Sequence, residues 1–566
     1  MNGSPAPKGA KGAPRQLELT PRQRQILSLI CKGKANKEIA RDLDISLGTV
    51  KQHIAALFKR MNVQNRSMAV AQGKGLFDQP SSGPGAVTPP RIVGGDATDE
   101  VLLIRRPCIV LALTVASSFD AASCQAFQAR LATLGPAMGA VHLSRGAAGA
   151  VLLFGVRKAS VWDSIKALLL LRQLRDWVAE RGASKDQPLS AALDAGIAVI
   201  SINPQGSWSG DTVATPVISV TRRLLATLSA GTLGIGKQAL HLLAAFHAGE
   251  ALSSRNLSGD HGLALRDLER LFKLDFERNT SDQSARSHWQ GLGAILDARR
   301  GQRLQLLGPQ GSGKTHLCRA LLARARALGR EARYLRVLPE TPAAPMLADA
   351  DSGTRVTDEA LAALVATVAA AEGGLLIIDD FDLLAPSARS ALALQLQPVP
   401  AATGLLVLTA REQAIAGGDT LMLAGLDAPE LERLLAGKGG AGADDRNLDP
   451  SALLAWIQGR PLFALELAAQ EWIADAPRGL PLPVLLAMAS EFDQHRLDWR
   501  LLRALNEGML EPTAERIHAL TAMPIAEIEA GITAAVAAGL LMRAGPNGHP
   551  RFTSALMQRA VEAILV

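Results

Sequence analysis

The chain has 566 residues, which is too many for one hydrophobic core, so several domains are expected. Hydrophobic residues make up 48% of the sequence, yet no stretch reaches the roughly 18 unbroken apolar residues of a membrane span, so we predict a cytoplasmic protein with no membrane partner. The net charge of +7 arises in residues 1–75, which hold 14 Lys and Arg against 4 Asp and Glu, so a polyanionic partner is expected there and not elsewhere.

The first predicted domain occupies residues 19–75, after a flexible basic tail at 1–18. Thr20, Asn36 and Ser46 each precede a segment with apolar residues at helical spacing, which predicts three short helices. The third of these has an apolar face and an opposite face able to reach base edges and phosphates in a DNA major groove. The candidate DNA-binding residues on that face are Thr49, Lys51, Gln52, His53 and Lys59.

Three stretches of this segment, LTPRQRQIL, NKEIA and TVKQH, resemble the LuxR/NarL-type helix-turn-helix in the same order. The resemblance implies an all-α domain that binds double-stranded DNA. It places Thr49, Lys51 and His53 where the family contacts DNA and Lys59 where it contacts the backbone. Gln23 departs from the family, which usually has Glu at this position. The alternative interpretation is a small helical bundle with a solvated basic face.

Residues 76–106 are dense in Pro, Gly and Ser, which predicts a flexible linker. From 107 to 247, strands alternate with helices, which predicts an α+β or α/β domain. The predicted strands are CIVLALTV, GAVLLFG and LDAGIAVISI, and the predicted helices span 122–134 and 162–181.

Two parts of this domain, AAGAVLLFG and SGDTVATPVISVTRRLLATLSAGTLGIGKQAL, resemble class III nucleotide cyclases. Such cyclases need two aspartates to hold two metal ions. Ala148 stands at one of these positions, and the first strand has no carboxylate before Asp120. The family's transition-state Asn aligns near Ile218, and its Arg with Arg222 or Arg223. We therefore predict an inactive cyclase-like domain that could still dimerise or bind a nucleotide.

An α/β P-loop ATPase domain is predicted at 248–420. The strand-like segment 304–307 precedes GPQGSGKT, a full match to G-x-x-x-x-G-K-[ST], and a helical segment follows. The motif predicts ATP and Mg²⁺ as cofactors, with Lys314 at the β/γ-phosphates and the Thr315 hydroxyl on Mg²⁺. The predicted nucleotide-binding loop is Gly308, Pro309, Gln310, Gly311, Ser312, Gly313, Lys314 and Thr315.

A second apolar run, 373–380, ends in two carboxylates about 65 residues beyond the loop, as in a Walker B strand. We predict that Asp379 holds Mg²⁺ and that Asp380, with Lys314, is catalytic because it orients or deprotonates the attacking water. A further strand, GLLVLTAREQ, places Arg411 where related ATPases sense the γ-phosphate. The alternative for the two aspartates is a turn at the end of a strand.

The remaining residues are predicted to form a helical domain at 421–495 and a winged helix at 496–566. LDAPELERLLA and GRPLFALELA resemble the helical domain of STAND-type ATPases, which implies that Pro461 approaches the nucleotide base. AAGLLMR and RFTSALMQRAV resemble the winged helix of that family. Because the winged helix carries few cations, we expect it to pack on the ATPase domain rather than to bind DNA.

These features predict a multidomain transcription regulator in which ATP or ADP controls oligomerisation and DNA binding, with slow hydrolysis. We expect a homo-oligomer in the active state and a signal molecule or partner protein that the sequence does not identify. The first alternative is a signalling enzyme, a nucleotide cyclase with a DNA-binding domain. The second is a scaffold whose ATP site is purely structural.

Overall fold

The computed structural model divides the chain into two compact units, residues 1–95 and 96–566. In the first unit it describes Ile54 alone, a buried helical residue, so the candidate DNA-binding residues Thr49, Lys51, Gln52, His53 and Lys59 lie outside the described residues. In the second unit the described residues are 102–115, 119–146, 148–180, 189–202, 208–246, 262–273, 301–339, 345–436, 450–473, 476–495, 497–507, 512–545 and 547–565.

A seven-stranded sheet forms the first domain of the second unit, which we define as the described residues from 102 to 273. Its strand order is β2-β3-β1-β4-β6-β7, with β5 on β4. The elements are β1 (Leu102–Val115), α1 (Ala121–Ala137), β2 (Val141–Arg145), β3 (Gly149–Phe154), α2 (Asp163–Glu180), β4 (Leu189–Ile202), β5 (Trp208–Ala214), α3 (Val217–Thr227), β6 (Thr232–Ile235), α4 (Lys237–Phe246) and β7 (Leu263–Ala264), followed by a 3₁₀ helix, Leu265–Leu271.

Both predicted boundaries of this domain are wrong, because strand pairing continues beyond them. Strand β1 begins at Leu102, inside the segment predicted as linker, and pairs antiparallel with β4 from Leu102–Ile202 to Val115–Leu189. Strand β7 pairs with β6, so the sheet extends past residue 247 into the region predicted for the ATPase. The composition of 76–106 concealed the start of β1 because Pro, Gly and Ser dominate the segment, and the apolar run from Val101 to Ile104 is short and is followed by Arg105 and Arg106.

The P-loop domain, residues 301–422, is an α/β domain as predicted, built on a six-stranded sheet of order β10-β9-β11-β12-β8-β13. Strands β8, β9, β11, β12 and β13 run parallel and β10 is antiparallel. The elements are β8 (Gln302–Leu307), α5 (Lys314–Ala327), β9 (Ala332–Leu338), β10 (Met346–Asp349), α6 (Asp358–Ala370), β11 (Leu375–Asp379), a 3₁₀ turn (Phe381–Leu383), α7 (Pro386–Gln395), α8 (Pro398–Ala401), β12 (Leu405–Ala410) and β13 (Asp419–Met422).

The carboxyl ends of β8, β11 and β12 therefore lie side by side at one edge of the P-loop domain, where ligands bind in open α/β sheets. The apolar runs read from the sequence form these strands because both faces of a parallel sheet are buried. The ends of the three strands carry the glycine-rich loop, the two aspartates and Arg411.

The C-terminal region, residues 428–565, is helical and ends in a two-stranded wing and a last helix. Its elements are α9 (Ala428–Ala436), α10 (Pro450–Ile457), α11 (Pro461–Ala468), β14 (Trp472–Ile473), β15 (Ala476–Pro477), α12 (Leu482–Gln494), α13 (Trp499–Asn506), α14 (Ala514–Thr521), α15 (Ile525–Ala537), β16 (Leu541–Ala544), β17 (His549–Phe552) and α16 (Ala555–Ile564). In the described part of the chain, no single helix has the length and apolarity of a membrane span; α14 and α15 do so only as a pair bent by 114°.

One hydrophobic core joins the first domain to the C-terminal region. The last helix, α16, packs on α12 and on β1, and Ile104 of β1 forms a backbone bridge with Leu565. The prediction that the winged helix packs on the ATPase domain is therefore wrong about its main partner. Apolar side chains of α16, such as Val561, face this core, and the sequence alone did not show which sheet they cover.

Candidate nucleotide-binding site

The glycine-rich loop leads from β8 directly into α5, as its motif requires. Gly311 and Gly313 have φ angles of 81° and 91°, a left-handed conformation that L side chains rarely adopt. Gly313 is also the N-cap of α5, so the positive end of the helix dipole and its free N–H groups face the loop. This arrangement favours an anion at the loop.

Lys314, the first residue of α5, is buried, and its ammonium lies inside the loop. Its Nζ donates to the carbonyl oxygens of Gly308 at 2.7 Å and Pro309 at 3.1 Å. Burial lowers the pKa of Lys314, and the negative charges of Asp380 and Asp379 oppose that effect. The structure thus places a cation where the motif predicts contact with phosphate oxygens.

Asp379 ends β11 and joins three neighbouring elements of the P-loop domain. It is fully buried, and its carboxylate accepts hydrogen bonds from the hydroxyls of Thr315 at 2.8 Å, Tyr334 at 2.7 Å and Thr409. Thr315 and Asp379, the two residues predicted to bind Mg²⁺, therefore lie in contact, and their binding of a metal ion stays a prediction. The contribution of Tyr334 was missed, although it is the only tyrosine in the chain.

Asp380 follows Asp379 in the left-handed conformation, with φ 58°. Its backbone N–H donates to Thr409 Oγ1 at 2.8 Å, and its carboxylate forms an ion pair with Arg336 at 3.2 Å. Burial, together with the charge of Asp379, raises the pKa of Asp380 to about 7. Arg336 was not singled out from the sequence, because a lone arginine within an apolar strand gives no motif.

A cavity of about 1030 Å³ opens at the edge of the sheet beside Lys314 and Asp380. Arg411 lines it and forms an ion pair with Asp382 at 2.6 Å. The walls come from all three parts of the second unit. Residues outside the P-loop domain that line the cavity include Arg157, Lys158, Trp162 and Asp163 of the first domain and Arg460, Glu491, Thr553 and Met557 of the C-terminal region.

The turn before α11 lies directly against the glycine-rich loop. Leu462 N–H donates to the carbonyl of Gly311 at 3.3 Å, and Arg460 Nη1 is 3.5 Å from the carbonyl of Gln310. Arg460 also forms a bidentate ion pair with Glu491. Pro461 begins α11 between them, so it lies beside the loop, and its predicted contact with the base stays a prediction.

The residues present fit a triphosphate with Mg²⁺. Ser312 Oγ is buried in the loop with no hydrogen-bond partner, the kind of group that a phosphate oxygen satisfies. The described residues hold no cluster of three or more His, Cys, Asp or Glu, so a metal ion here would depend on Thr315, Asp379 and phosphate oxygens. Mg²⁺ is commonly bound in this way, by few protein ligands together with substrate phosphates.

The cyclase-like features of the first domain bring no comparable site together among the described residues. The Asp120 carboxylate caps α1 by accepting from Ser123 N–H at 2.7 Å. Ala148 is half-buried and packs on the core. The buried carboxylate of Asp194, on β4, accepts from the backbone N–H groups of Ala195 and Ala239. These hydrogen bonds stabilise local structure, and the absence of cyclase activity stays a prediction.

Comparison with known proteins identifies the N-terminal segment. Residues 17–72 match the model of the family described as "Bacterial regulatory proteins, luxR family". The nitrate/nitrite response regulator protein NarL of Escherichia coli is 51% identical over 49 residues, which are 9% of this chain and 23% of NarL. The HTH-type transcriptional regulator MalT of Vibrio campbellii is 39% identical over 63 residues, 11% of this chain and 7% of MalT. The segment is a LuxR-type helix-turn-helix domain, and the chain spans about a quarter or less of these relatives.

Solved structures resemble this chain only distantly. The replication initiator DnaA bound to AMPPCP and single-stranded DNA has a TM-score of 0.25 and 11% identity, over 44% of this chain and 88% of that one. The guanylyl cyclase Cya2 has a TM-score of 0.19 and 15% identity, over 26% of this chain and 80% of that one.

Proposed function

From the LuxR-type helix-turn-helix domain at residues 17–72, we propose that this chain is a DNA-binding transcription regulator whose nucleotide state controls oligomerisation and DNA binding. The observation that carries the nucleotide part is the assembly of Lys314, Thr315 and Asp379 around one loop at the carboxyl edge of a parallel sheet. The resemblance of the C-terminal helices to STAND-type ATPases, read from the sequence, supports a switch rather than a rapid enzyme.

Each residue of the site has a chemical role in this proposal. Backbone N–H groups of the loop and Lys314 bind the phosphates of ATP. Mg²⁺ at Thr315 and Asp379 supplies neutralisation of the phosphate charge. Asp380 orients the water whose oxygen attacks the γ-phosphorus as the bond to the ADP oxygen breaks, and accepts its proton. Arg411 lines the cavity, and it binds the γ-phosphate once its ion pair with Asp382 breaks.

The contact between the glycine-rich loop and α11 supplies the conformational coupling. Leu462 and Arg460 donate hydrogen bonds to carbonyl oxygens of the loop. A change in the conformation of the loop would therefore alter the position of α11 in the C-terminal region. A nucleotide that binds the open form about 10⁴-fold more tightly would change the open fraction from about 1% to 99%. We propose that ADP retains the closed arrangement and that ATP favours an open form that oligomerises and presents paired helix-turn-helix domains to DNA.

The test measures mass and DNA binding side by side in ADP and in a non-hydrolysable ATP analogue. Full-length protein is analysed by light scattering, and its DNA retention is measured with a random-sequence double-stranded library. The matched control for Lys314→Ala is Lys237→Ala, since Lys237 is exposed on α4 of the first domain. We expect the analogue to raise mass and DNA retention in the wild type and in Lys237→Ala, but not in Lys314→Ala. Equal mass and retention in both nucleotides, or undiminished ATP affinity in Lys314→Ala, would refute the proposal.

A further inference from the structure

Arg336 connects the candidate ATPase centre to the first domain. It lies on β9 and is 4% exposed. On one side its Nε donates to the Asp380 carboxylate at 3.2 Å. On the other side its Nη2 donates to the carbonyl of Phe246, the last residue of α4, at 3.4 Å. Its guanidinium carbon lies 5.1 Å from the ring centroid of Trp162, the residue before α2.

Two residues together determine where the Asp380 carboxylate lies. Thr409 fixes the backbone of Asp380 through the N–H group, and Arg336 fixes the direction of its side chain. Arg336 is itself fixed from the first domain, because a buried guanidinium depends on its partners for its position. An aromatic face and a backbone carbonyl are such partners and carry no net charge, whereas Asp380 and Asp379 supply negative charge near Arg336.

The location of Trp162 strengthens the connection. Trp162 and Asp380 both line the 1030 Å³ cavity, so the same side chain that supports Arg336 also faces the nucleotide site. If the first domain moved away from the P-loop domain, Arg336 would lose the ring and the carbonyl together. The carboxylate of Asp380 would then lose the partner that sets its direction.

We propose that Arg336 is a positioning residue for Asp380 and that Trp162 and Phe246 of the first domain hold it in place. Hydrolysis at the glycine-rich loop therefore requires the first domain to be docked, which gives that domain a role that does not depend on cyclase chemistry. This inference rests on the proposed function, in which Asp380 acts on the attacking water.

The experiment separates turnover from nucleotide binding in the full-length chain. Steady-state kcat and KM for MgATP are measured together with the Kd of a non-hydrolysable ATP analogue for Trp162→Leu, Trp162→Phe, Arg336→Gln and Arg336→Lys. Trp177→Leu is the matched control, because Trp177 lies in α2 of the same domain and packs on Phe127 with ring centroids 6.4 Å apart. Thermal unfolding of each variant reports whether it folds.

We expect Trp162→Leu and Arg336→Gln to lower kcat about tenfold or more while the Kd of the analogue stays within about twofold of wild type. Trp162→Phe keeps an aromatic face and Arg336→Lys keeps the charge, so each should restore part of the turnover. Trp177→Leu should leave kcat unchanged.

Four results would overturn the inference. The first is equal kcat for Trp162→Leu and Trp177→Leu, and the second is higher kcat in Arg336→Gln, which would mean that Arg336 restrains Asp380. The third is a parallel loss of kcat and of analogue binding, and the fourth is no rescue by the conservative variants. Absence of ATP turnover in the wild type would refute the hydrolysis step of the proposed function as well, whereas normal wild-type turnover with unaffected variants would refute this inference alone.

Discussion

A buried ion pair between Arg106 and Asp493 links the first domain to the C-terminal region, and its loss should destabilise the whole second unit. The two side chains are 2% and 11% exposed. Arg106 Nη1 donates to Asp493 Oδ1 at 3.0 Å, and Arg106 Nε donates to the carbonyl of Gly155 at 3.3 Å. Asp493 Oδ2 also accepts a hydrogen bond from the backbone N–H of Ala159 at 2.6 Å. Asp493 also lies in the last turn of α12, where the helix dipole disfavours a carboxylate unless a cation is near.

Replacing Asp493 by asparagine keeps the shape of the side chain and removes its charge, so the buried Arg106 loses the carboxylate to which it is hydrogen-bonded. Breaking a buried pair in this way costs about 3–5 kcal/mol, whereas replacing both partners by apolar residues of similar volume is often neutral. We therefore expect Asp493→Asn to lower the free energy of unfolding by about 3 kcal/mol or more. The double variant Arg106→Met/Asp493→Leu should recover most of this loss.

Urea unfolding followed by tryptophan fluorescence measures the free energy of unfolding of the wild type, of Asp493→Asn and of the double variant. The control is Glu471→Gln, which breaks the ion pair between Glu471 and Arg478, whose side chains are 62% and 70% exposed. Exposed pairs contribute little, so this variant should unfold at the wild-type urea concentration. An unfolding midpoint for Asp493→Asn equal to that of Glu471→Gln, or a double variant no more stable than the single one, would show that the pair does not hold the two regions together.

Three further predictions address the loop, the ATPase centre and the DNA-binding domain. In Gly311→Ala the new Cβ would lie 3.1 Å from Leu462 Cβ at a φ of 81°, so we expect about tenfold weaker ATP binding, measured by filter binding, and unchanged affinity would contradict this. The pKa of Asp380 is about 7, and only its ionised form accepts a proton. We therefore expect kcat/KM for MgATP to rise about tenfold per pH unit below 7 and to level off above it. A flat pH profile would argue against Asp380 as the base. Lys59→Ala should weaken binding to all DNA sequences equally and reduce the slope of log affinity against log salt by about 1, a change that salt titration detects.

Much of the P-loop domain was predictable because its signals are local. The loop motif and the apolar run ending at Asp379 are continuous in sequence, and parallel strands place their ends at one edge of the sheet.

A long helix of the first domain was predictable for a similar reason. The helix predicted at 162–181 is found at Asp163–Glu180, because apolar periodicity in the sequence indicates a core-facing helix directly.

The contacts that could not be predicted join residues distant in sequence. Arg336 and Trp162 are separated by 174 residues, and nothing in either neighbourhood indicates the other. The ion pair of Arg106 with Asp493 spans 387 residues. The main partner of α16 was predicted wrongly for the same reason, because an apolar helix face shows that something covers it but not which element does.

The single core shared by the first domain and the C-terminal helices has a practical consequence for anyone who wishes to dissect this chain. A cut between residues 273 and 301 would separate the two halves of one hydrophobic core. Each fragment would then expose aliphatic side chains to water, and we expect it to aggregate. Expression fragments and chimaeras are better started near residue 96, where the chain divides into its two units, and carried through to the last helix. Such a fragment keeps both halves of the shared apolar core in one molecule.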